Sequence, residues 1–126
     1  MPLVTITVRK PKSAEFKSKV LAAVHGALVA SGVPKNDLFQ RVLELSAEDF
    51  RFDPTYPDLK TGRTEDFVLI EVLLSVGRSV KVKKQILGEM MKTLGEGGLN
   101  PEHVMVCFKE TQWENWAFSE GRIFHT

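Results

Sequence analysis

The chain predicts an α+β fold: two fused β-α-β repeats forming one four-stranded mixed sheet with two helices on one face, plus short C-terminal elements. Three observations predict it. Branched apolar residues cluster or alternate over four short stretches, and apolar residues recur at helical spacing over two longer ones. The two patterns come in the order strand, helix, strand, twice over. The repeat distance is also constant: strand starts at 3 and 67, helix caps at 13 and 79, and second strands at 38 and 103 keep nearly the same separation. A crossover between parallel strands is right-handed by general rule, so the strands within each half run parallel. The 126 residues fit a single domain, 1–126, with pseudo-repeats at about 2–45 and 66–110.

The first strand is Leu3 to Val8 (LVTITV), closed by Pro11. Ser13 is placed to cap a helix whose inner stripe is Phe16, Val20, Val24, Ala27 and Leu28, leaving Lys17 and Lys19 for solvent. Gly32 and Pro34 stop that helix: glycine accepts a left-handed residue and proline forbids continuation. A second strand follows over about Leu38 to Leu45. The twenty residues from Ser46 to Glu65 predict an ordered covering loop, with Phe50 to Phe52 as a small extra strand. Phe67 to Leu74 (FVLIEVLL) is apolar almost throughout and predicts a central strand. Ser79 caps the second helix, with Val82, Ile86, Met90 and Leu94 inward and a glycine cluster at its end. His103 to Phe108 is the fourth strand, and the aromatic tail Trp113 to Thr126 is expected to pack onto the body.

Composition excludes several functions. The net charge is +1 with both signs interspersed, so there is no basic field for a nucleic-acid backbone. No apolar run approaches the length of a membrane span, and no apolar segment of signal-peptide length precedes Arg9 and Lys10. Cys107 is the single cysteine, so no internal disulfide can form. His25, His103 and His125 show no metal-ligand spacing. These features predict a soluble, cytoplasmic protein that uses no metal or cofactor.

Topology nominates a site. If the halves pair antiparallel through strands one and three, the start of strand one, Asp37, the turn Gly77 to Ser79 and the segment Gln112 to Trp116 share one end of the sheet. The end of the first helix, beyond His25, arrives there too. Pro2 at the start of the chain carries chemistry only if Met1 is trimmed. Its nitrogen is then a free secondary amine with a pKa of roughly 8 before perturbation, able to act as base or acid. With Met1 attached, the same nitrogen is an amide. Arg78 stands before a helix N-terminus, where a cation gains nothing from the macrodipole, so guanidinium and helix amides together suggest a carboxylate-binding corner. Asp37 in a turn, His25 in mid-helix, and Trp116 and Phe118 in the tail all have ordinary structural readings as well.

Five short motifs, in order, carry a resemblance: Met1-Pro2-Leu3; Gly32-Val33-Pro34 with Asp37 and Phe39-Gln40; Asp53-Pro54-Thr55-Tyr56; Gly77-Arg78-Ser79; and Glu114-Asn115-Trp116-Ala117-Phe118. Over nearly its whole length the chain resembles the tautomerase superfamily with a catalytic amino-terminal proline (the 4-oxalocrotonate tautomerase type), on the branch similar to malonate semialdehyde decarboxylase. The resemblance implies a homotrimer acting on small carboxylates. It implies Pro2 as acid or base, Arg78 as carboxylate anchor and Asp37 as the group that positions water or tunes the amine. His25 falls where a dehalogenase branch has a histidine. Decarboxylase and dehalogenase relatives carry a second arginine shortly before the one matching Arg78; here Ser75, Val76 and Gly77 occupy that stretch. A single guanidinium favours keto–enol tautomerisation of a small 2-oxo acid. In that reading neutral Pro2 moves the proton, Arg78 and the Ser79 amides hold the carboxylate or 2-oxygen, and Trp116 and Phe118 exclude water. Decarboxylation or hydration of a small 3-oxo or unsaturated acid is the alternative, and a non-catalytic metabolite-binding module is the second.

Overall fold

The computed structural model describes residues 1–123; the end of the expected tail, with His125, lies outside the described residues. Strand β1 (Leu3–Arg9), helix α1 (Ala14–Ala30) and strand β2 (Gln40–Leu45) form the first half. Strand β3 (Val68–Ser75), helix α2 (Val80–Glu96) and strand β4 (Val104–Thr111) form the second. The sheet order is β2-β1-β3-β4, with β1–β2 and β3–β4 parallel and β1–β3 antiparallel. This is the predicted mixed sheet, with β1 and β3 at its centre.

The period-two pattern decides which face is covered. Val4, Ile6 and Val8 of β1 and Val68, Ile70, Val72 and Leu74 of β3 are buried. They pack against Val20, Val24, Ala27 and Leu28 of α1 and Ile86, Met90 and Leu94 of α2. Both helices start on the predicted serines: Ser13 Oγ accepts from the Phe16 amide at 3.0 Å and Ser79 Oγ from the Val82 amide at 3.2 Å. Gly32 and Gly77 take φ values of +112° and +123°, which a side chain would resist. Among the described residues no helix is long and apolar enough to cross a membrane, and no cluster of three or more His, Cys, Asp or Glu could hold a metal ion.

Two local expectations change. Lys17 is not left to solvent; it is partly buried and ion-paired with Glu44 of β2. Phe50 to Phe52 is not a strand, because the Phe50 carbonyl that a ladder would use accepts from Arg9 Nε at 2.9 Å. Phe50 and Phe52 instead pack on Phe67, with ring centroids 5.6 and 4.4 Å away. The described part of the tail packs onto the body as expected, through Phe118 on Phe39 with ring centroids 5.5 Å apart. It forms a 3-10 turn (Trp113–Asn115) and a small hairpin of β5 (Ala117–Ser119) and β6 (Arg122–Ile123) whose strand residues stay exposed.

Candidate active site

The end of the sheet where β1 and β2 begin and β3 and β4 finish holds a cleft of about 560 Å³. Met1, Asp37 and Arg78 line it, with Phe39, Trp113 and Phe118 as the aromatic part of its wall. Each arrives by a distinct local cause. Helix α1 ends at Ala30, and its last turn is closed by the Val33 amide donating to the Leu28 carbonyl at 3.1 Å. The chain then turns through Pro34, whose carbonyl accepts from the Asp37 amide at 3.0 Å, and this aims Asp37 back toward the start of β1. The Val4 amide donates to the Phe39 carbonyl at 3.0 Å, tying the start of β1 to the start of β2.

Asp37 meets the chain's first nitrogen: its Oδ2 lies 3.3 Å from the Met1 ammonium. Both groups are largely withdrawn from water, with side-chain exposures of 5% for Met1 and 15% for Asp37. Charges in such a setting are screened less than on an open surface. Arg78 enters from the turn between β3 and α2, where Gly77 supplies the positive φ. With the described residues it forms no ion pair and no side-chain hydrogen bond, although it is partly buried. A half-buried guanidinium with its donors uncommitted suits a carboxylate ligand, which accepts two parallel N–H bonds.

The remaining expected site residues stand further back. Pro2 is buried, one bond beyond Met1, and its nitrogen is an amide while Met1 is attached. Ser79 spends its hydroxyl on the α2 cap. His25 does not enter the cleft; its Nε2 lies 2.8 Å from the Lys35 carbonyl, so it braces the turn that carries Asp37. Trp116 stacks on Phe118 with centroids 5.8 Å apart and planes 7° from parallel, and Phe118 packs on Phe39 at 5.5 Å. Trp116 thus supports the wall from behind, and its buried indole Nε1 has no hydrogen-bond partner among the described residues. Phe39 and Trp113 were missed as lining residues. Their signal was available, since each is a large aromatic beside a polar turn, and the structure leaves them 47% and 38% exposed.

Residues 37–119, from the Asp37 turn to the end of β5, match the tautomerase enzyme family. The chain belongs to that family. Two solved structures superpose on 96% of this tautomerase-family chain: FG41 malonate semialdehyde decarboxylase inhibited by 3-bromopropiolate, and a malonate semialdehyde decarboxylase described by its decarboxylase and hydratase activities. The first is 24% identical with a TM-score of 0.87, covering 92% of that protein. The second is 27% identical with a TM-score of 0.86, covering 93%. A fused 4-OT solved as a symmetric trimer shares the fold, at 19% identity and a TM-score of 0.74 over 96% of this chain and 94% of that one.

Proposed function

We propose that the protein is a tautomerase that uses the amine of Pro2, freed by removal of Met1, to interconvert the enol and keto forms of a small 2-oxo acid. The observation that carries the reading is the cleft itself: chain start, Asp37 carboxylate and Arg78 guanidinium line one hollow of substrate size. Arg78 anchors the substrate carboxylate. The amine is the proton carrier: the enol O–H bond breaks, a C–H bond forms at the neighbouring carbon, and the C–O bond becomes C=O. One amine completes this cycle from either protonation state, because it ends with as many protons as it began. Asp37 tunes that amine, Phe39, Trp113 and Phe118 keep water out, and Trp116 stiffens the wall.

The test is decay of ultraviolet absorbance of phenylenolpyruvate and 2-hydroxymuconate, with protein whose intact mass shows Met1 removed. A positioned proton carrier contributes about 10²–10⁴-fold, so Pro2→Ala should lose that much kcat/KM. Undiminished activity in Pro2→Ala sinks the reading. A second reading, decarboxylation or hydration of a small 3-oxo or unsaturated acid, is favoured by one observation. The Asp37 carboxylate lies 3.3 Å from the chain's first nitrogen, a partner for a protonated amine that would act as the acid quenching the enolate left by loss of CO2. Release of CO2 from a 3-oxo acid, with no enol decay, would move the assignment there.

The proposal includes a homotrimer in the cytoplasm. Two features support assembly: the helix-free face of the sheet leaves Leu43 and Met105 42% and 51% exposed, and the fused 4-OT likeness was solved as a trimer. Sedimentation at micromolar concentration tests it; a monomer would refute it.

A further inference from the structure

We infer that Ser75 is a positioning residue for the Pro2 amine, accepting a hydrogen bond from it once Met1 has been removed; the inference rests on the proline-amine reading above. Ser75 is fully buried at the end of β3, and its Oγ has no hydrogen-bond partner among the described residues. A buried hydroxyl left unpaired is costly, so one in this position calls for a partner beyond those the described residues supply.

The strand register says where that partner belongs. β1 and β3 pair antiparallel with Leu3 opposite Leu73. Carried on by two residues, the same register sets Met1 opposite Ser75. Cross-strand partners share a face, so on that extended register Met1 and Ser75 would share a side of the sheet. On its other side Ser75 is paired with Thr111 of β4, and the next amide, Val76, donates to the Thr111 carbonyl at 2.9 Å. Ser75 is therefore fixed by backbone on a central strand rather than carried on a loop. Met1 is itself only 8% exposed, so its removal vacates packed space at that corner and turns the Pro2 nitrogen from an amide with no proton into an amine.

A protonated secondary amine has two N–H donors. Asp37, which already faces the chain's first nitrogen, can take one. The second needs an acceptor from another direction, and Ser75 Oγ is the unspent acceptor in the neighbouring strand. The charged groups facing this corner are Asp37 from the turn before β2 and Arg78 from the turn before α2, with His25 behind the Asp37 turn. The tail contributes the uncharged Trp113 and Phe118. An acceptor that bonds the charged form of an amine raises its pKa.

The measurement is a pH titration of the Pro2 nitrogen by NMR in isotope-labelled, processed protein. In Ser75→Ala the midpoint should fall by roughly half to one pH unit, and Ser75→Thr should restore it. A midpoint in Ser75→Ala equal to that of the unaltered protein overturns the inference, whatever the protein's activity proves to be. Thermal unfolding gives a second readout. In Met1-retained protein the hydroxyl is unpartnered, so Ser75→Ala should leave Tm unchanged or raise it; in processed protein it should lower Tm. The same effect in both forms also overturns the assignment.

Discussion

The two ends of the sheet are built on one plan, yet they spend corresponding residues differently: at one, Asp37 and Arg78 line an open cleft, and at the other an aromatic cluster fills the corner. Leu3 and Val68, Ala14 and Val80, and Gln40 and Val104 begin corresponding elements, 64–66 residues apart in each case. At that spacing Pro2 corresponds to Phe67, Asp37 to Glu102, and the tail after β4 to the loop after β2. At the first end Asp37 faces the chain's terminal nitrogen. At the second, the corresponding position is Phe67, in mid-chain. Phe67 fills the corner, 3% exposed, with Phe50 and Phe52 packed on it and the Arg63 guanidinium 5.3 Å from its ring centroid. Glu102 accepts from the Thr61 amide at 3.0 Å and from its hydroxyl, so the carboxylate that matches Asp37 is spent on holding the loop. What remains there is a smaller hollow of about 360 Å³ bordered by Arg63 and Glu102. A pseudo-symmetric fold thus offers two corresponding corners, one left open as a cleft and the other packed with aromatic side chains.

The sharpest way to break this comparison is to exchange what the two corners lose. Pro2→Ala should cost about 10²–10⁴ in kcat/KM with little change in stability. Phe67→Ala should do the reverse: about 3–5 kcal/mol of stability lost for a buried aromatic, with kcat/KM of the remaining folded protein unchanged. Paired rate and denaturation measurements on both variants decide it. Loss of catalysis from Phe67→Ala at full folding would mean that the two ends are coupled rather than divided in role.

The residues before the two helix caps make the next pair. Lys12 precedes Ser13, and Arg78 precedes Ser79. Lys12 Nζ donates to the Arg9 carbonyl at 2.9 Å and lies 3.8 Å from Asp66, whereas Arg78 lines the cleft and makes no side-chain hydrogen bond with the described residues. Arg78→Ala should raise KM for carboxylate substrates about 10–100-fold, the size of a lost charge-assisted hydrogen bond. Lys12→Ala should leave KM alone, because Lys12 does not line the cleft. Steady-state kinetics with a substrate and its neutral ester distinguish them; an equal loss on the ester refutes the anchoring role.

How much of this was legible beforehand follows from range. Caps, stops and alternation are local, so Ser13, Ser79, Gly32 and the inward stripes could be read directly and are where expected. The repeat extended that to topology, and topology brought Met1, Asp37 and Arg78 to one end. What could not be read is how side chains are spent at long range. Nothing near Phe50 announces that Arg9, 41 residues away, takes its carbonyl and forbids the expected strand. Nothing near Lys17 announces Glu44. His25, a candidate by position, turned out to brace a carbonyl ten residues away instead of facing the cleft. Ser75 stood only in the stretch where relatives carry a second arginine, and its burial with no partner among the described residues is what the sequence did not announce.

The two serine caps give a smaller and more even comparison. Each should lose about 1 kcal/mol on substitution by alanine, because each satisfies one orphan amide in the first turn. Ser79 stands beside Arg78, so any added part in substrate binding would appear as a KM change in Ser79→Ala that Ser13→Ala lacks. Since its hydroxyl is committed to the Val82 amide, that change should be well below the effect of Arg78→Ala. A KM loss as large as that of Arg78→Ala would show that the cap is broken to receive substrate.

The smallest effect concerns acid, and it separates the two corresponding carboxylates. The Thr61 hydroxyl and amide, donating to Glu102, hold its carboxyl below the usual glutamate value of 4.5. A depressed folded-state pKa contributes stability above the unfolded value and loses it as pH falls through the folded one. The native loop should therefore weaken at pH below about 4.5, as the carboxylate that Thr61 holds takes up a proton. Glu102→Gln removes the titration, so its denaturation midpoint should drop less between about pH 6 and about pH 3 than that of the unaltered protein. Thr61→Val should flatten the same difference from the donor's side. If both variants keep the full acid sensitivity, Glu102 is not what fastens the loop over the second corner. The contrast would then rest on the aromatic packing around Phe67 alone.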